Sequence, residues 1–160
     1  MNIPPLAGVC SYEEAARAGY GVEENVGYML RYAWIEKRMM ELGLFWMNPT
    51  PEWEVKEAFS LHLWLDTEHA GMFRDRISEM RNPPPRMDVS PDERLDRFFD
   101  ELLTAPTTLA KLVGLYGVLK PALLAAYQRH VAESNPIIDY PTARIIGWMM
   151  AEEEKMIAWG

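Results

Sequence analysis

The sequence predicts an all-α fold: a four-helix bundle whose second and third long helices are joined by a long connection carrying a short helix. Three observations carry this expectation. Proline recurs at Pro49, Pro51, Pro83, Pro84, Pro85, Pro91, Pro106, Pro121, Pro136 and Pro141. It cuts the chain into segments, because inside a helix proline removes an amide donor and clashes with the preceding turn. Between the prolines, apolar residues return every three or four positions, the period of a helix buried on one face. Eleven Met and six Trp stand beside few Val and Thr, a balance that favours helix over sheet.

The elements come in order along the chain. Ser11-Tyr12-Glu13-Glu14 is an S-x-x-E capping box that opens a short helix at about 12–18. A first long helix is expected at about 22–44, and Thr50-Pro51 opens a second at about 51–80. From Asn82 a proline-rich stretch crosses to a second box, Ser90-Pro91-Asp92-Glu93, whose proline suits the first helical position of an amphipathic helix at about 91–104. The third long helix covers about 107–134, and Lys120-Pro121 after Gly114 and Gly117 predicts a kink or a break there. The fourth covers about 141–158. A long connection between the second and third helices is a standard bundle topology. The chain thus divides into an N-terminal segment, 1–21, and one domain, 22–160, without internal repeats.

At 160 residues the chain has the length of one domain and can bury a core without disulfides. A net charge of −8 argues against a duplex nucleic-acid partner and against an anionic membrane surface. The single cysteine, Cys10, excludes an intrachain disulfide, a CxxC pair and a cysteine-rich zinc site. No apolar run approaches the roughly 20 residues that span a bilayer, and Met1-Asn2-Ile3-Pro4-Pro5 lacks a signal pattern. The expectation is a cytoplasmic protein that binds neither nucleic acid nor membrane.

The predicted core stripes carry unexpected polar residues. The second long helix gives Val55, Phe59, His62, Asp66, His69, Phe73, Ile77 and Met80; the first gives Val22, Val26, Met29, Ala33, Glu36, Met40 and Gly43. The fourth gives Ile145, Met149, Glu152 or Glu153, and Met156; the third gives Leu109, Leu112, Tyr116, Leu119, Leu123, Tyr127 and His130. All three histidines of the protein lie on these faces. A buried carboxylate must pair, neutralise or bind a cation. The i, i+4, i+7 spacing of His62, Asp66 and His69 stacks the three side chains along one face, and imidazole with carboxylate suits zinc, iron or manganese better than calcium. Matching levels across the helical hairpins places Glu36, His62, Asp66, His69 and Glu153 in one layer, with His130 in another. A lone core histidine such as His130 is expected to be satisfied by a carbonyl or a tyrosine. The same residues also suit a buried His–Asp–Glu network that fixes helix register without metal.

At these residues the sequence resembles the ferritin-like superfamily of carboxylate-bridged di-metal proteins, which takes a Glu from each of two helices and an E-x-x-H motif from each of the other two. Glu36 matches the single Glu of the first helix. Asp66-Thr67-Glu68-His69 matches the E-x-x-H of the second with Asp for Glu, and Glu153-Glu154-Lys155-Met156 matches that of the fourth with Met156 in place of histidine. The third helix offers no carboxylate between Glu101 and Glu133; Tyr127, or the kink at Pro121, occupies the expected level. The resemblance implies iron, with manganese as the alternative, and oxygen or peroxide chemistry on a substrate held in the apolar interior. It also implies Tyr32 and Tyr127 as hydrogen-bonding neighbours of the ligands.

Two functions remain open from the sequence. One is a metal-dependent oxidoreductase or oxygenase acting on a small molecule with dioxygen. The other is a non-enzymatic binding or scaffold protein. Ala58, Leu61, Leu65 and Met72 form a second apolar face beside the His/Asp stripe, and the six tryptophans contribute to others. A helix apolar on two sides predicts a homodimer or a partner domain.

Overall fold

In the computed structural model helices form wherever the proline punctuation allows them, and no strand occurs among the described residues. These are residues 3–81, 83–86 and 88–160; Met1 and Asn2 at the amino terminus, and Asn82 and Met87 in the proline-rich connection, lie outside them. A short helix α1, Tyr12–Ala15, precedes four long ones: α2, Val22–Met47; α3, Trp53–Met80; α5, Thr108–Glu133; and α6, Tyr140–Trp159. Between α3 and α5 lies α4, Glu93–Leu103.

The caps refine the predicted boundaries. The Ser11 box forms as expected, with Ser11 and Glu14 each accepting the other's backbone amide. The box expected at Ser90 does not form. Asp92 caps α4 instead, its Oδ1 accepting from the amides of Arg94 and Leu95 at 3.0 and 2.8 Å. Thr50 likewise caps nothing: α3 starts after Glu52, and Thr50 is buried, accepting from the Lys111 ammonium at 3.3 Å.

α3 runs back along α2, so that Glu23 near the start of α2 pairs with Arg81 just past the end of α3. α4 lies against the outer side of α2. Its attachment combines the Arg31–Asp92 and Arg38–Asp100 ion pairs, Trp34 packed edge-on against Phe99, and Trp46 donating its indole N–H to the Leu103 carbonyl. α6 packs against α5 and α3 and completes one core that includes Met29, Met39, Trp46, Phe59, Phe73, Tyr127, Ile146 and Met149.

The predicted break at Pro121 does not occur. α5 passes through it, with Val113–Leu119 wound as a π-helix and the Lys120 amide donating to the Leu115 carbonyl five residues back. The wider turn accommodates the proline ring without ending the helix. Gly114 lies where a Cβ would overlap Leu102, so its bareness lets α4 approach. The extra residue in the π turn also shifts the inward face. Leu109, predicted as core, is 71% exposed, and Lys111 is buried instead, its ammonium near the Trp46 ring. Val22, also predicted as core, is exposed, and Met39 is buried more deeply than Met40. Leu61, on the second apolar face of α3, is exposed. Contrary to the sequence expectation, α5 is long and apolar enough to cross a membrane by length and composition.

Replacing Asp92 with Ala is expected to destabilise the protein by about 1 kcal/mol in urea unfolding, whereas Ser90→Ala changes stability by less than about 0.5 kcal/mol. A loss of about 1 kcal/mol from Ser90→Ala with little from Asp92→Ala would place the cap at Ser90.

Candidate metal centre

Each long helix contributes to one buried polar layer. α2 supplies Glu36, α3 supplies Asp66 and His69, and α6 supplies Glu153, each at most 2% exposed. One ligand atom from each of these four lies within 4.8 Å of every other. The placement comes from helical period: Asp66 and His69 share a face three residues apart, and Glu36 and Glu153 arrive from the helices packed against it.

His69 links two carboxylates. Its Nε2 lies 2.7 Å from Glu152 Oε2, and its Nδ1 lies 3.1 Å from Glu36 Oε1 and 3.9 Å from Glu153 Oε1. With the Nε2 proton donated to Glu152, Nδ1 presents a lone pair to Glu36. Two lone pairs at that distance repel unless a proton or a cation lies between them. Without a metal the proton is favoured. Burial alone would depress the pKa of His69, but the bonds to Glu36 and Glu152 and the charge of Glu153 raise it to about 9.

α5 brings what sequence reasoning missed. The fully buried Lys120 ammonium donates to Asp66 Oδ1 at 2.8 Å and to Glu153 Oε1 at 3.0 Å. Burial works against its charge, yet Asp66, Glu153 and Glu36 together raise its pKa. The carboxyls of Asp66 and Glu153 are themselves raised, chiefly by desolvation and partly opposed by Lys120. Tyr127, a second α5 residue, donates its hydroxyl to Glu36 Oε1 at 2.6 Å. Satisfaction is incomplete, since Glu36 Oε2 and Glu153 Oε2 are buried without a hydrogen-bond partner.

One predicted member of the layer and one predicted neighbour of it lie elsewhere. His62 is outside the cluster; its Nδ1 is 2.7 Å from the Tyr116 hydroxyl, and its ring meets Tyr116 and Trp159 edge-on. One turn separates it from Asp66, and that turn carries it past the level of Glu36. Tyr32 does not reach a carboxylate. Its hydroxyl points to the Ala126 carbonyl at 3.4 Å, and its ring packs perpendicular to that of Tyr127 at 4.9 Å. Of the Glu152-Glu153-Glu154 run, Glu153 turns inward, Glu152 is partly exposed and Glu154 is exposed. Met156 is buried in the core. His130, expected to be satisfied, has no hydrogen-bond partner on either ring nitrogen. Lys120 left no signal beyond its position one helical turn after Tyr116 on the inward stripe.

The chain matches no family model, no curated protein and no solved structure.

Burial, and after it the Lys120 charge, lower the pKa of His62 to about 4. A histidine whose folded pKa lies below its unfolded one stabilises the fold fully above pH 6.5 and loses that contribution as pH falls through 4. Between those limits the protein is expected to lose on the order of 3 kcal/mol through this group. Urea midpoints measured from pH 7 to 4 should therefore fall more steeply for the native chain than for His62→Gln; parallel curves would refute the assignment.

Proposed function

We propose that the buried layer is the metal centre of a ferritin-like four-helix bundle, and that it holds one divalent iron or manganese ion in a metal-dependent oxidoreductase. The observation that carries this is the pair of partnerless carboxylate oxygens, Glu36 Oε2 and Glu153 Oε2, inside a four-residue cluster of ligand spacing. Burying such atoms unpaired is costly, and a hard cation is the partner that oxygen-rich ligands accept best.

Charge decides the number of ions. With Glu36, Asp66 and Glu153 ionised, Lys120 cancels one of the three negative charges and leaves two. One divalent ion balances these; a second would meet the Lys120 ammonium. Lys120 on α5 thus stands in for the second cation of the di-metal proteins that the sequence resembles.

The residues have distinct roles. Glu36, Asp66 and Glu153 would hold the ion through oxygen and His69 through Nδ1. Glu152 accepts the Nε2 proton of His69, which fixes the tautomer that leaves Nδ1 free. Tyr127 orients Glu36 and supplies a proton at Glu36 Oε1. Lys120 holds Asp66 and Glu153 in place and keeps a proton beside both. Phe73 and Met149, both 0% exposed, help keep water from the layer. Bound iron or manganese would supply redox chemistry toward dioxygen or peroxide.

A second reading is favoured by the same lysine: a metal-free network in which Lys120 and protonated His69 balance the carboxylates. Metal analysis by plasma mass spectrometry separates the two. The native chain is expected to carry close to one iron or manganese per chain, with His69→Ala and Glu153→Gln each losing most of it. Two ions per chain would overturn the role given to Lys120. No metal after anaerobic ferrous loading would overturn the centre itself and leave the network.

A further inference from the structure

A cleft of about 550 Å³ opens between α2, α4 and α5, a size suited to one small molecule. Its walls are mixed. Ile35, Leu95, Leu119 and Leu123 give an apolar lining, and Tyr28 and Tyr32 give aromatic surface. His130 also lines it, although the residue is only 1% exposed.

The histidine is the anomaly. Tyr20, Tyr28 and Tyr32 place their rings 5.2, 5.6 and 5.6 Å from the imidazole, yet none of their hydroxyls bonds to it. Tyr20 donates to Glu133 instead, and Tyr32 points to a backbone carbonyl. Burial pushes the pKa of His130 down, against the pull of Asp139 and Glu133, so the imidazole is neutral and offers one donor and one acceptor. Both are unused.

Arg129 and Arg31 supply positive charge to the cleft. Arg31 is engaged with Asp92, and Glu133 is engaged with Tyr20, whereas Arg129 makes no ion pair among the described residues. The lining therefore combines a free cation, stacking surface and a buried group able to both give and accept a hydrogen bond.

We propose that this cleft binds a small monoanionic aromatic acid, its ring hydroxyl met by His130 and its carboxylate by Arg129. Tyrosine faces and edges suit an aromatic ring, and a phenolic hydroxyl satisfies an imidazole nitrogen that the protein leaves bare. The cleft also shares a wall with the buried layer: Tyr32 packs on Tyr127, which donates to Glu36, and Ile35 and Leu119 immediately precede Glu36 and Lys120. Assigning the cleft as the substrate chamber of the proposed centre rests on the metal reading; binding of the acid does not.

The probes are 4-hydroxyphenylacetate and phenylacetate, titrated calorimetrically into the full chain as purified and after chelation. The hydroxylated acid is expected to bind one per chain in both preparations, about tenfold more tightly than phenylacetate. His130→Phe should erase that preference while still binding phenylacetate, and Arg129→Met, at an exposed position, should weaken both acids about tenfold. Absence of saturable binding by either acid, or a preference that survives in His130→Phe, would overturn the proposal. Binding in a chain that takes up no metal would sustain the cleft and sink only the metal centre; metal uptake without binding would do the reverse.

Discussion

Three carboxylates can share the dry interior of a helical protein only if positive charge is brought to them, and Lys120 is where this chain brings it. Its ammonium lies between Asp66 of α3 and Glu153 of α6, so one side chain from α5 ties three helices at one level. The cost of dehydrating these ions is several kcal/mol each, and their mutual attraction offsets it only when geometry and remaining hydrogen bonds are good. Register among α3, α5 and α6 is therefore constrained as tightly by charge as by apolar packing. A slip of one residue in any of them would move a charged group away from its partner and into the hydrocarbon of Phe59, Phe73 or Met149.

The π segment matters for the same reason. Lys120 comes directly after it, and the residues that meet the polar layer and its neighbours, Tyr116, Lys120 and Tyr127, lie within or just beyond it. A π turn widens the helix and rotates its downstream half relative to its upstream half. Upstream, the inward position passes from Leu109 to Lys111; downstream, Leu123, Tyr127 and His130 face inward as an ordinary helical stripe would place them. The same turn makes room for Pro121, which would otherwise interrupt the helix beside the ion pairs. Backbone irregularity and polar layer are two aspects of one local solution.

Most of the helical architecture was legible because its signals are short-ranged. Proline placement and the apolar period located the helices to within a few residues, and Glu36, Asp66, His69 and Glu153 were found because ionisable residues stand out on apolar stripes. His62 misled for the same reason: it shares a face with Asp66, but face alone does not fix level, and the Tyr116 hydroxyl that receives it comes from another helix. Lys120 escaped because lysine beside a proline reads as a solvated kink, and only the folded π turn shows its ammonium facing inward. The absent Ser90 cap is a subtler case. Asp92 lies two residues on and competes for the same task with a charged oxygen, which serves better at a helix N-terminus.

Two groups of unsatisfied atoms flank one pair of core tyrosines. Glu36 Oε2, Glu153 Oε2 and the His130 ring nitrogens are buried polar atoms around which α2, α5 and α6 offer no complementary group. Several other buried polar groups are met: Arg76 meets Thr142 and Asp139, Asn135 holds the backbone of Ala15 and Arg17, and Trp46 finds the Leu103 carbonyl. Asn25 Oδ1 and Arg38 Nε are also buried without a partner, but the carboxylate oxygens and the His130 nitrogens lie on either side of Tyr32 and Tyr127. The two tyrosines form the partition between the open sites, one hydroxyl held by Glu36 and the other directed to the backbone at Ala126. That arrangement suits two different occupants, a cation on the side of Glu36 and a neutral hydrogen-bonding group on the side of His130. The carboxylate cluster has the charge for the first and the imidazole has the donor and acceptor for the second.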